Sequence, residues 1–181
     1  MTKYEEKTIQ TKPIYDGKII SLQVDDVILP DGQEAKREIV KHPGAVAVLP
    51  ITEDGKIVFV KQFRKALEKT IIEIPAGRIE PNENPLHTAV RELEEETGYG
   101  TTDITYLQSF ATSPGFADEI IHLYVAENLF PIDNPAAGDE DEFIDCITLT
   151  VEEAEAFVAS EDIYDAKTAF ALLYAKHELA R

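Results

Sequence analysis

Cysteine is nearly absent: Cys146 is the single one in 181 residues. A disulfide framework is therefore excluded, and so is a cysteine-rich zinc site. Basic residues are scarce as well, 17 Lys and Arg against 35 Asp and Glu, for a formal charge of −18. A surface this acidic repels phosphate backbones and anionic lipid, which argues against DNA, RNA or a membrane as the main partner. No apolar run approaches the ~20 residues needed to cross a bilayer. Residues Met1 to Gln10 are polar and mixed in charge, without the apolar stretch of a signal peptide. Cytoplasmic residence is the expectation. A phosphate-bearing substrate would need its charge neutralised locally, by divalent cations or by a few placed basic residues.

What is present is enough for a core. Apolar residues make up 44% of the chain, and at this length roughly 70% of the unfolded surface can be buried without staples. There is no internal repeat and no low-complexity linker. Lys12–Tyr15, Ile19–Leu29 and Glu34–Lys41 read as strands, separated by Asp16-Gly17 and Pro30-Asp31-Gly32, which carry turn chemistry. Three strands alone are marginal, so this piece is expected to lean on the rest of the chain or on a second subunit. Residues 1–41 are therefore read as a dimerising β segment and 42–181 as the main domain.

After His42-Pro43-Gly44 the pattern changes. Ala45–Ile51 is nearly continuous apolar, as in a strand buried on both faces. Lys56–Phe63, Thr70–Pro75, Ile104–Thr112, Ile120–Ala126 and Phe143–Leu149 read as further strands, with Glu127–Asp141 as a loop. A helix starts after Thr150, where Glu153 completes a capping box. A last helix spans about Asp165 to Leu179, with Ala166, Ala169, Phe170 and Leu173 as its apolar stripe. The order predicts a mixed α/β (α+β) fold, a mixed sheet between helical layers. Cys146, inside a strand pattern, is expected to be a buried small hydrophobe.

The most informative stretch runs from Gly77 to Tyr99. Asn84 is a good N-cap, Pro85 suits the first helical position and Gly98 suits the C-terminal cap, so a helix from Pro85 to Thr97 is bounded by its own chemistry. Leu86, Ala89, Val90 and Leu93 are its expected buried stripe. Glu92, Glu95 and Glu96 fall at i, i+3 and i+4, which gathers three carboxylates on one face. Like charges so close repel unless a cation sits among them. Glutamate oxygens without His or Cys suit a hard ion, Mg²⁺ or Mn²⁺. The same charge run, taken as composition alone, also fits a solvated acidic face. Arg91 and Glu83 are expected to pair and fix the preceding loop against the helix.

This stretch resembles the Nudix box of hydrolases that act on nucleoside diphosphates linked to another moiety. Gly77, Glu83, Arg91, Glu92, Leu93, Glu95, Glu96, Gly98 and Tyr99 fill its fixed places. Tyr99 is aromatic where an aliphatic is commoner. The resemblance implies a Nudix-type α/β/α sandwich with an added N-terminal antiparallel β segment. It also implies metal ligands at Glu92, Glu95, Glu96 and the Ala76 carbonyl, with Arg91 and Glu83 as supports and Arg91, Glu95 and Glu96 serving catalysis. Pro114, 15 residues after Tyr99 in Ser113-Pro114-Gly115-Phe116, and Ile74-Pro75-Ala76-Gly77 resemble the ADP-ribose pyrophosphatase branch. Pro114 alone also fits an ordinary strand-ending turn.

That branch implies hydrolysis of ADP-ribose to AMP and ribose 5-phosphate with Mg²⁺ as cofactor, by a homodimer that exchanges its N-terminal strands. It implies an acidic loop, here Gly138 to Phe143, with Glu140 as general base and Glu142 as a further metal ligand, their roles interchangeable at this stage. A solvated surface loop is the plain alternative. Arg64 and Arg37 suit a phosphate or ribose clamp, and Ser113, Pro114 and Phe116 complete the expected substrate contacts. Tyr15 is a further aromatic for adenine stacking, although aromatics at strand ends more often belong to a core. The box itself does not choose among ADP-ribose, another nucleoside diphosphate sugar, a dinucleotide or a modified nucleoside triphosphate. A Nudix-fold sensor that binds without cutting is the rival of another class.

Overall fold

The structure, a computed structural model, describes residues 2–136, 138 and 142–179. The chain forms two compact units, Met1–Gly44 with Phe110–Ile120, and Ala45–Ser109 with Ile121–Arg181.

In the first unit β1 (Lys7–Asp16), β2 (Ser21–Ile28) and β3 (Glu34–Lys41) make an antiparallel sheet in chain order. Both turns fall where the glycines do. β1 is longer than expected because all of its residues are exposed, so no buried face imposes a readable alternation. Its pairing with β2 is interrupted between Thr8 and Gln10 and between Pro13 and Tyr15. Buried Asp25 accepts hydrogen bonds from Thr8 and Gln23. Residues 110–120 join through Val40, whose N–H donates to Phe116 O at 2.8 Å, and through Asp118, which accepts the His42 N–H at 2.8 Å and pairs with Lys41.

The second unit is built on β4 (Ala45–Pro50), buried at every residue as its apolar run predicts. β4 lies parallel to β9 (Ile120–Pro131) and antiparallel to β7 (Ala76–Arg78), in a sheet of order β7-β4-β9-β8 with β8 at Tyr99–Ala111. A second sheet has order β10-β5-β6, from β5 (Ile57–Arg64), β6 (Lys69–Glu73) and β10 (Asp145–Leu149). The mixed α/β expectation is met, with three α-helices among the described residues. β7 has no counterpart in the sequence reading, since three residues around a glycine carry no periodicity. β8 begins earlier and β9 ends later than their apolar patterns suggest.

Helix α1 (Pro85–Thr97) has the predicted bounds. Asn84 Oδ1 accepts the Leu86 N–H at 2.9 Å, and Gly98 closes the helix at φ +72°, a conformation that favours glycine. The helix packs on β4, β7 and β5, with Ala89 and Leu93 in a core shared with Val46, Val48, Tyr124 and Ala126. Its buried face is Thr88, Ala89, Glu92, Leu93 and Glu96, while Leu86 and Val90 are each 38% exposed. The expected stripe was too apolar: two carboxylates hold the inward positions that an amphipathic reading gives to Leu86 and Val90.

Helix α2 (Val151–Ala159) opens with the predicted capping box between Thr150 and Glu153. It packs on β10 and on α3 (Ala166–Leu179). The inward face of α3 is likewise corrected, to Lys167, Thr168, Ala171, Leu172 and Ala175, leaving Phe170 and Leu173 exposed. Its rotation is set by polar anchors: Asp165 Oδ1 caps the Thr168 N–H at 3.1 Å, and Thr168 Oγ1 accepts the Ile74 N–H at 3.0 Å. Cys146 is exposed rather than buried, because β10 is an edge strand that, among the described residues, pairs with β5 alone. No helix among the described residues is long and apolar enough to cross a membrane.

Candidate active site

The chemistry collects between β7 and α1. Gly77 admits the Glu92 carboxylate onto its α-carbon, where an added Cβ would lie 2.0 Å from that carboxyl. Beside it, the Ala76 N–H donates to Glu96 Oε2 at 2.9 Å. The short strand and the helix are thus locked together by the two carboxylates that α1 turns inward.

Arg91 organises the rest. Its Nε and one terminal nitrogen both reach Glu83 at 3.1 Å, the fork expected from the sequence, and that nitrogen also donates to Arg78 O at 3.3 Å. The other terminal nitrogen donates to Glu92 at 2.7 Å and to Glu95 at 2.9 Å. One guanidinium therefore ties the loop before α1 to two of the three box carboxylates. Bonding to Arg91 lowers the Glu83 carboxyl to about 2. The Arg91 charge is held in turn by Glu83, Glu92 and Glu95.

Glu92 and Glu96 shift the opposite way from Glu83. Burial raises Glu92 to about 7, reinforced by Glu95 and Glu142 and opposed by Arg91. Burial raises Glu96 to about 8, reinforced by Glu92 and Glu142 and opposed by the Ala76 N–H and Arg64. Two buried, mutually repelling carboxylates are a poor apo arrangement and a good one for a cation. The donors are all oxygen, which fits a hard divalent ion. Among the described residues no three His, Cys, Asp or Glu side chains converge as a finished cage; Arg91 and the Ala76 N–H bond the box carboxylates instead.

The other predicted residues divide by unit. Glu142 lies close enough to α1 for its charge to act on Glu92 and Glu96. A Cβ on neighbouring Gly138 would lie 3.8 Å from Glu142 Oε2 and 4.0 Å from Glu95 O. Arg64, at the end of β5, stabilises the Glu96 carboxylate. Glu140 lies outside the described residues. Arg37, Ser113, Pro114 and Phe116 belong to the first unit. There Arg37 forks onto Glu6 at 2.8 and 2.5 Å, Ser113 O accepts the Phe116 and Ala117 N–H groups, and Phe116 is exposed. Tyr15 is also exposed, on β1.

Glu73, Asp165 and Lys167 escaped the sequence reading. Glu73 is buried at the end of β6, between Arg64 and Lys167. The available signal was a lone acid in the apolar run Ile71-Ile72-Glu73-Ile74.

A NUDIX domain model matches residues 41–170, and a nucleoside diphosphate sugar hydrolase N-terminal domain model matches residues 6–40. The chain belongs to the Nudix hydrolase family. This Nudix chain is 60% identical over 94% of its length, and 92% of the relative's, to a methanol dehydrogenase activator of Bacillus methanolicus. It is 56% identical to an ADP-ribose pyrophosphatase of Bacillus subtilis (strain 168), covering 96% of this chain and 94% of that one. An ADP-ribose pyrophosphatase of Mycobacterium tuberculosis is 35% identical over 78% of this chain and 69% of its own. A crystal structure of an ADP compounds hydrolase superposes with a TM-score of 0.84 at 21% identity, covering 97% of this chain and 95% of that one, which speaks to the fold. Nudix hydrolases generally use divalent metal ions.

Proposed function

We propose that this Nudix hydrolase cleaves ADP-ribose to AMP and ribose 5-phosphate, with Mg²⁺ as the working ion and Mn²⁺ as a substitute. The observation that carries this is 56% identity, over nearly the full chain, to an ADP-ribose pyrophosphatase, together with a box complete at every fixed place. The net reaction adds water across the diphosphate: one P–O bond of the bridge breaks, and one bond forms between phosphorus and the water oxygen.

Glu92, Glu95, Glu96, Glu142 and the Ala76 carbonyl would hold the ions. When bound, the ions neutralise diphosphate charge and make water a stronger acid. The protein's own groups do the remainder. Arg91 and Glu83 keep the box carboxylates in place. Arg64 offers guanidinium donors to phosphate oxygens. Glu140 takes the proton of the attacking water, with Glu142 as the exchange candidate for that role. Arg37, Ser113, Pro114 and Phe116 are proposed as substrate contacts; for Arg37 this requires release of Glu6. The reading extends to a cytoplasmic homodimer joined through residues 1–41, without nucleic acid or membrane partners.

The test is product analysis of ADP-ribose incubated with the protein, with Mg²⁺ and with chelator. AMP and ribose 5-phosphate formed only with metal supports the proposal. Cleavage of a different nucleoside diphosphate compound in the same panel would replace the substrate and keep the reaction class. Binding of ADP-ribose without products would favour a sensor.

A second reading follows from the 60% identical relative: the chain also stimulates a methanol dehydrogenase. Stimulation by the wild type and none by Glu96→Gln would tie that effect to hydrolysis.

A further inference from the structure

The Arg64 guanidinium is held at one edge only. Its Nε donates to Glu73 Oε2 at 2.5 Å, and among the described residues neither terminal nitrogen has a hydrogen-bond partner. An arginine beside a carboxylate ordinarily closes a fork, Nε and a terminal nitrogen on the two oxygens. Here the second oxygen meets a different cation: Lys167 Nζ donates to Glu73 Oε1 at 2.5 Å and to Asp165 Oδ1 at 2.9 Å. The Glu73 and Lys167 side chains are 4% and 9% exposed, whereas that of Arg64 is 38% exposed. Glu73 thus meets the guanidinium through Oε2, and the outer edge of Arg64 stays open on the side of the box helix where Arg64 acts on Glu96.

We propose that Lys167 and Glu73 are positioning residues for Arg64: Lys167 blocks the second Glu73 oxygen, so that both terminal nitrogens of Arg64 stay available to a phosphate of the substrate. Burying a lysine from α3 is costly unless it is fully paired. Lys167 meets that condition through Glu73 and Asp165, and the same contact engages the Glu73 oxygen that an Arg64 fork would use. The inference rests on the phosphate-clamp reading of Arg64, and it makes Lys167 act on substrate affinity from a position shielded from solvent.

The experiment is a double-mutant cycle on ADP-ribose hydrolysis. Lys167→Met frees Glu73 Oε1, lets the fork close and raises KM about tenfold with kcat little changed. Lys167→Arg restores a cation there and returns KM toward the wild-type value. In an Arg64→Lys background, Lys167→Met adds no further rise in KM. An unchanged KM in Lys167→Met, or an equal rise in both backgrounds, overturns the proposal.

Arginine side-chain NMR reads the geometry without substrate. In the wild type only the Nε proton of Arg64 resists exchange with solvent, and in Lys167→Met a terminal N–H joins it. Equal protection of both kinds of proton in the wild type, or a Lys167→Met spectrum identical to it, also overturns the proposal. A wild type that releases no AMP defeats the ADP-ribose reading, and the spectra then decide the Arg64 geometry by themselves.

Discussion

The carboxylate of Glu92 rests on the α-carbon of Gly77, so close that a methyl group there would lie 2.0 Å from it. Gly77→Ala must displace one or the other. The atoms in the way are the end of a flexible side chain, so the carboxylate moves and the strand stays. The expected outcome is a loss of hydrolysis of about a hundredfold, with a stability cost of ~1 kcal/mol at the low end for overpacking. Urea unfolding beside steady-state kinetics checks it. A stability loss several times larger, with activity per folded molecule retained, would refute the account.

Glu96 is 8% exposed and accepts one backbone N–H. Glu96→Gln keeps the shape and an acceptor oxygen while removing the charge. Turnover should fall by about two orders of magnitude or more, the scale seen when a transition-state electrostatic contact is lost, with the circular dichroism spectrum unchanged. Near-native kcat in this variant would sink the metal role of the box helix.

Metal should stabilise the native state, because only the folded chain gathers Glu92 and Glu96 into a site that a cation can bind. At a free Mg²⁺ concentration of about 100 times Kd the gain is about 2.7 kcal/mol. Thermal melts with Mg²⁺ and with chelator measure it. The double variant Glu92→Gln/Glu96→Gln should show no Mg²⁺-dependent shift in Tm.

Glu83 gives the acid limb. Its carboxyl is lowered to about 2 by Arg91, below the ordinary value for glutamate of ~4.3. A depressed pKa means the folded state holds the charge more readily than the unfolded chain. Its contribution is present above about pH 4.3 and is lost as pH falls through about 2. Wild type should therefore exceed Glu83→Gln in stability at pH 7, with the gap narrowing from about pH 4 downward. A gap independent of pH would mean that Glu83 acts through packing.

The box helix was legible from end to end because its signals are local. Asn84 and Gly98 cap it through contacts within a turn, and Thr150 with Glu153 does the same for α2. β4 was legible because burial on both faces leaves an unbroken apolar run. The exposed length of β1 and the three residues of β7 left no such trace. Cys146 and the apolar side of α3 depart from the sequence pattern for one shared reason. Strand-edge position and helix rotation are set by partners far along the chain, here β5 for Cys146 and Ile74 with Glu73 for α3.

The sequence alone determined the family motif, the hard-oxygen character of its carboxylates and the Arg91–Glu83 pairing, because these depend on residue type and short spacing. Only the tertiary structure decided that Glu92 and Glu96 point inward against Gly77 and Ala76, and that Lys167, 94 residues beyond Glu73, holds one of its oxygens. Spacing along a helix fixes which residues share a face. Which way that face turns is fixed by the surfaces packed against it.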